Sequence, residues 1–173
     1  MIYKHIEESA ESLLHENGFY SVGFDIRELV KHLKIDLVET SFDFDSDISG
    51  LLAINNEQIV ISINSLEDPK RHRFTIAHEL GHLKLHSKEQ PVFIDKIPKV
   101  MYRNNASATG EIHKEREANA FAAALLMPKE LVADVIENCK LNGDEMVKHL
   151  AKEFEVSVQA MSFRLSNLGY YLG

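Results

Sequence analysis

The chain has one cysteine, no tryptophan and four prolines among 173 residues. A lone Cys139 rules out an intramolecular disulfide framework and fits a reducing compartment. No apolar run reaches the length of a membrane span, so no membrane partner is expected. A secretory leader is not visible either, because the first seventeen residues are broken by Lys4, His5, Glu7, Glu8, Glu11 and Glu16. Asn105-Ala106-Ser107, which matches a glycosylation acceptor, reads as chance in a chain with no export signal. Positive charge is in deficit: 19 Lys+Arg stand against 27 Asp+Glu, a net charge of −8. That balance argues against direct nucleic-acid binding. Repeats and low-complexity tracts are also missing.

The remaining composition is that of a globular protein, 45% hydrophobic and 27% charged. The length suits one domain with a real core and no covalent staples.

The most informative stretch is Phe74-Thr75-Ile76-Ala77-His78-Glu79-Leu80-Gly81-His82-Leu83. It carries His-Glu-x-x-His within a helical pattern. Histidines four apart stand on one helix face, roughly 6 Å apart along the axis. Both imidazoles can then reach one metal ion, and such nitrogen ligands joined by a carboxylate prefer zinc. Glu79 falls beside the ligand pair, where it can take a proton from an attacking water. Phe74, Ile76, Ala77, Leu80 and Leu83 would bury the rest of the helix. Gly81 costs about 1 kcal/mol in a helix and usually marks close approach of another backbone.

Around this helix the pattern alternates between helix and strand. Residues 3–16 read as an amphipathic helix with Ile6, Ala10, Leu13 and Leu14 inward, ended by Asn17-Gly18. Asp25 is a plausible N-cap for a second helix bearing Ile26, Leu29, Val30 and Leu33. Residues 35–40, 51–54 and 58–63 read as strands, the last two joined by a short turn at Asn55-Asn56-Glu57. Asp43, Asp45 and Asp47 lack the glycine and later glutamate of an EF-hand and read as a solvated loop. The strand at 58–63 leads straight into the His78 helix. Were it a sheet edge, an extended peptide could add to it; otherwise it is half of a structural sheet. Residues 87–110 are loosely patterned, with short extended pieces at 92–94 and 99–102, and are the natural place for a lid or substrate loop. A strong helix follows over 111–126, then one starting at Pro128 with Leu131, Val132, Val135 and Ile136 inward. A further helix spans 144–155, and a last one carries Met161, Phe163, Leu165 and Leu168.

Two histidines need at least one more protein ligand. His86 is four residues further on, but another turn of rise, roughly 6 Å, takes it past an ion seated between His78 and His82. It is expected to pack at the helix end. The helix at 111–126 is the better source. Glu115 shares a face with Asn119, Ala118 and Ala122, small residues suited to close helix contact. Glu117 points about 200° away. It is expected to behave as an ordinary surface residue, its loss changing stability by about 0.5 kcal/mol or less.

The chain resembles the ImmA/IrrE metallopeptidases. The resemblance rests on the Phe74–His82 stretch, on Glu115-x-x-Ala118-Asn119-x-Phe121-Ala122-Ala123-x-Leu125-Leu126-Met127-Pro128, and on Val156-Ser157-x-x-Ala160-Met161-x-x-Arg164-Leu165-x-x-Leu168-Gly169. It covers most of residues 50–169. It implies an α+β fold: a small sheet packed with a gluzincin-like zinc helix and several further helices. It also implies Glu115 as the third zinc ligand with Asn119 behind it, and a helix-turn-helix transcriptional repressor as the protein substrate, whose cleavage derepresses mobile-element, stress or toxin–antitoxin genes. One metallopeptidase domain is expected over 1–173, with N-terminal helices at 1–34, the protease core at 35–127 and C-terminal helices at 128–173. No separate sensor domain is evident.

The expected chemistry is peptide hydrolysis with zinc on His78, His82 and Glu115 and Glu79 as general base. Tyr102, Arg103 and His113 are candidate oxyanion donors. Two alternatives remain. One is a non-catalytic anti-repressor with a structural zinc site. The other is DNA binding by a helix-turn-helix outline near Glu155-Val156-Ser157, where Lys148, Lys152 and Arg164 face Asp144, Glu145, Glu153 and Glu155 and leave no basic face.

Overall fold

A computed structural model describes residues 3–42, 47–55, 58–88, 91–96 and 107–170. Among them the chain is a mixed α+β fold of seven helices and one four-stranded sheet. Helix α1 (Lys4–Asn17) buries Ile6, Ala10, Leu13 and Leu14, and Gly18 closes it in the left-handed conformation that glycine adopts without strain. Helix α2 (Ile26–His32) starts where the Asp25 carboxylate accepts from the Arg27 and Glu28 amides. Three strands follow: β1 (Asp36–Thr40), β2 (Ile48–Ile54) and β3 (Ile59–Asn64).

Helix α3 (Pro69–His86) carries the His-Glu-x-x-His stretch. Its start is well specified. Pro69 occupies the first turn, and the Asp68 carboxylate accepts from the Lys70 and Arg71 amides at 2.9 and 3.1 Å. Strand β4 (Val92–Lys96) and helix α4 (Ser107–Leu126) come next, then α5 (Lys129–Asn138), α6 (Gly143–Glu153) and α7 (Val158–Leu168). Between β2 and β3, and between β4 and α4, the turn and the supposed extended piece at 99–102 lie outside the described residues, as do Asp43 and Asp45 of the acidic stretch.

The strand order is β1-β3-β2-β4, with β1 parallel to β3 and the other two pairings antiparallel. Strand β3 is therefore an interior strand with both edges paired. The idea that it offers a free edge beside the metal helix is wrong, because β1 returns parallel to it and takes that edge. The edges are β1 and β4. One face of the sheet buries Ile48, Leu52, Ile61, Ile63 and Phe93 beneath α3, while Val38, Val92 and Ile94 remain exposed.

Helices α3 and α4 form the main helix pair, and α1 packs on the far side of α4. A buried ion pair joins distant parts of the chain. Arg164 of α7 donates to both carboxylate oxygens of Glu7 in α1, at 2.5 and 2.8 Å, and its Nε donates to the Met127 carbonyl at the end of α4. Within α7, Met161 and Leu165 are buried as expected, but Phe163 is 63% exposed. Two residues apart on a helix face about 200° apart, so Phe163 cannot follow Met161 inward. Among the described residues no helix is long and apolar enough to cross a membrane.

Candidate metal centre

Gly81 determines how closely the two central helices meet. A Cβ at this position would lie 3.0 Å from the Ala118 Cα and 3.1 Å from its carbonyl oxygen. With only hydrogen there, α4 lies directly on α3. Its Glu115, one turn before Asn119, is then delivered to the face that carries His78 and His82.

The two imidazoles are 1% exposed. Their Nε2 atoms are 3.0 Å apart, and each is 3.1 Å from an oxygen of Glu115: His78 from Oε2 and His82 from Oε1. The donor atoms of these three residues all fall within 4.8 Å of one another. A tetrahedral ion with bonds of about 2.0 Å needs donors about 3.3 Å apart, so two nitrogens and a carboxylate at these separations fit zinc. The remaining ring nitrogens are also engaged. His78 Nδ1 lies 3.1 Å from Asn119 Oδ1, an acceptor, so that nitrogen carries the proton and Nε2 keeps its lone pair. His82 lies flat on Phe93 of β4, with ring centroids 4.5 Å apart and planes at 22°.

Electrostatics agree with a ligand set. Burial lowers the pKa of His82, favouring the neutral ring that binds metal, although the neighbouring Glu115 carboxylate opposes this. Burial acts to raise the Glu115 pKa, but the two imidazoles beside it outweigh burial and hold the carboxyl at about 2. Its side chain is 43% exposed, so the centre opens toward solvent on this side.

Glu79 is fully buried, and neither carboxylate oxygen has a hydrogen-bond partner among the described residues. Burial, reinforced by the charges of Asp95 and Glu115, raises its pKa well above the carboxylate range. A buried carboxyl without a partner is costly unless something else occupies the site. This orphaned group is a second reason to read the centre as built for an ion and its reactants. Strand β2 passes close by. A Cβ on Gly50 would stand 2.4 Å from Thr75 Cγ2 and 2.8 Å from Glu79 Oε1. Strands β2 and β4 are tied to α3 by Arg71, whose Nη2 donates to Ser49 of β2 at 2.9 Å and to Asp95 of β4 at 3.3 Å.

Several expectations need revision. His86 sits at the helix end as expected, but it is 3% exposed and bonded to the centre, with Nδ1 3.2 Å from His82 Nδ1. Glu117 is not a surface residue. Its side chain is 17% exposed and its Oε2 lies 3.0 Å from His86 Nε2 and 3.2 Å from His113 Nδ1. It points away from the donor triangle, as helix geometry requires, but toward His86 in the last turn of α3 rather than into water. His113 is thereby committed to Glu117 and is not aimed at the centre as an oxyanion donor would be. Tyr102 and Arg103 lie outside the described residues. The recurrence of His78, His82 and His86 at fourfold spacing was the available signal for the His86 contact. Nothing local marked Gly50, because its role depends on strand register.

A cleft of about 900 Å³ meets the centre only at Asn119, which holds His78, and is lined by none of His78, Glu79, His82 or Glu115. Phe74, one turn before His78, and Asn119 form its near end; Ala120, Ala123, Val158 and Phe163 continue it toward α7. Arg116 and Lys70 add positive charge to its walls.

A peptidase family model described as the IrrE N-terminal-like domain matches residues 30–166. Two curated proteins, each described as radiation response metalloprotease IrrE, come from Deinococcus radiodurans and Deinococcus deserti. Each is 32% identical over 114 residues, which is 66% of this chain but 33% and 38% of theirs. The matched part thus spans only about a third of the length of these relatives. Among solved structures, a Mycobacterium tuberculosis transcriptional regulator superposes with a TM-score of 0.67 over 95% of this chain and 47% of that one. At 19% identity this likeness concerns the fold alone.

Proposed function

The chain belongs to the ImmA/IrrE metallopeptidase family, and from that premise we propose that it is a zinc-dependent endopeptidase that cleaves a helix-turn-helix repressor in the cytoplasm. The observation that carries the catalytic reading is the convergence of His78, His82 and Glu115 beside Glu79, which is buried and has no hydrogen-bond partner among the described residues. Residues 1–173 act as one metallopeptidase domain, a reading supported by the Glu7–Arg164 pair that joins its first and last helices.

In this reading His78, His82 and Glu115 hold the zinc. When bound, zinc polarises the scissile carbonyl and makes water more acidic. Glu79 accepts a proton from the attacking water at its carboxylate and returns it to the leaving amine. Asn119 and Phe93 keep the two imidazoles in place. The substrate chain lies extended beside β4, an edge strand of the sheet, and exchanges main-chain hydrogen bonds with it. Its side chains enter the cleft lined by Phe74 and Phe163.

The repressor as substrate is what the family resemblance implies. Incubating the zinc-loaded protein with the repressor encoded beside it, followed by intact-mass measurement, tests both parts. Two fragments whose masses sum to the repressor plus water support the reading. An uncut repressor, or a Glu79→Gln variant that still derepresses its target genes, favours a non-catalytic anti-repressor instead. Direct DNA binding has less support than charge counting suggested, since Arg164, one of three cations in the last two helices, is buried against Glu7.

A further inference from the structure

We propose that Glu117 and His86 form a positioning relay that selects the metal-binding tautomer of His82. The two act in series. Glu117 Oε2 can only accept, so at 3.0 Å it fixes the proton of His86 on Nε2. His86 Nδ1 is then a bare lone pair. It faces His82 Nδ1 at 3.2 Å and therefore requires the His82 proton to be on that nitrogen. His82 Nε2 is left unprotonated and directed at His78 Nε2 and Glu115. Reversing any link places a proton on His82 Nε2, where a ligand lone pair is needed.

The relay is built into the packing. His86 is one turn beyond His82 on α3, while Glu117 comes from α4, so the Gly81 contact that delivers Glu115 also sets the height of Glu117. His86 and His82 are 3% and 1% exposed, which keeps water from substituting for either partner. Glu117 is itself steadied by His113 at 3.2 Å. His78 needs only one step for the same result, the Asn119 amide oxygen. The two ligand histidines are thus oriented by different means, one by an amide and the other by a carboxylate acting through a second imidazole.

This inference rests on His78, His82 and Glu115 being the ligands. Two measurements test it: zinc affinity by competition with a chromophoric chelator, and the ring-nitrogen NMR shifts of His82 in metal-free protein at mildly alkaline pH. Glu117→Ala and His86→Phe should each weaken zinc binding about 10–100-fold, the usual effect of removing such an outer partner. The double variant should be no weaker than His86→Phe alone, because serial links are not additive. In metal-free Glu115→Ala, where no carboxylate faces His82 Nε2, the ring should be protonated on Nδ1 alone, and adding Glu117→Ala should turn that single tautomer into a mixture. Zinc affinity within threefold of the parent, additive losses in the double variant, or an unchanged His82 tautomer overturns the relay. Glu115→Ala separates this from failure of the metal-centre reading. If that variant also binds zinc normally, the ligand assignment is wrong; if it alone loses zinc, only the relay is.

Discussion

Gly81 and Ala118 meet backbone to backbone, and a methyl group on Gly81 would come within 3.0 Å of the Ala118 Cα. The neighbouring atoms are main chain and cannot swing aside. Replacing Gly81 with Ala gains about 1 kcal/mol of helix propensity, yet it should still lower zinc affinity, because α4 must retreat and take Glu115 with it. Gly81→Val adds bulk that no rotamer can hide and should cost about 1–3 kcal/mol in urea unfolding. Parent-like zinc affinity in Gly81→Ala would mean that α4 can adjust without moving Glu115.

Gly50 makes a similar demand from the sheet. Gly50→Ala should destabilise the protein by about 1–3 kcal/mol through its clash with Thr75 Cγ2. Peptidase activity should fall further than stability explains, since the same methyl crowds Glu79 Oε1. Thr75→Ser in the same chain removes the clashing methyl and should restore much of the melting temperature but not the activity. Recovery of both together would show that Glu79 is not displaced.

Glu115→Ala removes one of three proposed protein ligands and should leave purified protein largely free of zinc by elemental analysis. Glu79→Gln should keep its zinc while losing about 10²–10⁴-fold in turnover, the usual contribution of a general base. Zinc loss in Glu79→Gln would place that residue among the ligands.

The Glu7–Arg164 pair is buried at both ends, 6% and 3% exposed. Arg164→Met strands a buried carboxylate and should cost about 3–5 kcal/mol in chemical unfolding. The double variant Glu7→Met with Arg164→Met leaves no stranded charge and should recover most of that loss. If the double variant is as unstable as the single one, the pair stabilises through shape rather than charge.

What the sequence determined by itself was local. Histidines four apart share a helix face whatever surrounds them, so His78 and His82 were readable as a pair, with Glu79 beside them. Asp25 and Asp68 begin helices because their carboxylates accept from amides two and three residues on, a contact contained within four residues. Face-sharing on a helix likewise singled out Glu115 over Glu117. Tertiary structure decided everything that required two elements to meet. Strand β3 had the composition of any strand, and only the parallel return of β1 made it interior. Glu117 pointed away from the metal face in either reading, but whether that direction held water or His86 depended on where the last turn of α3 lies against α4. Gly50 carried no local signal, because its importance comes from the strand register that lays it against Thr75 and Glu79. Helical periodicity fixes directions around one axis; it carries no information about what another axis brings to meet them.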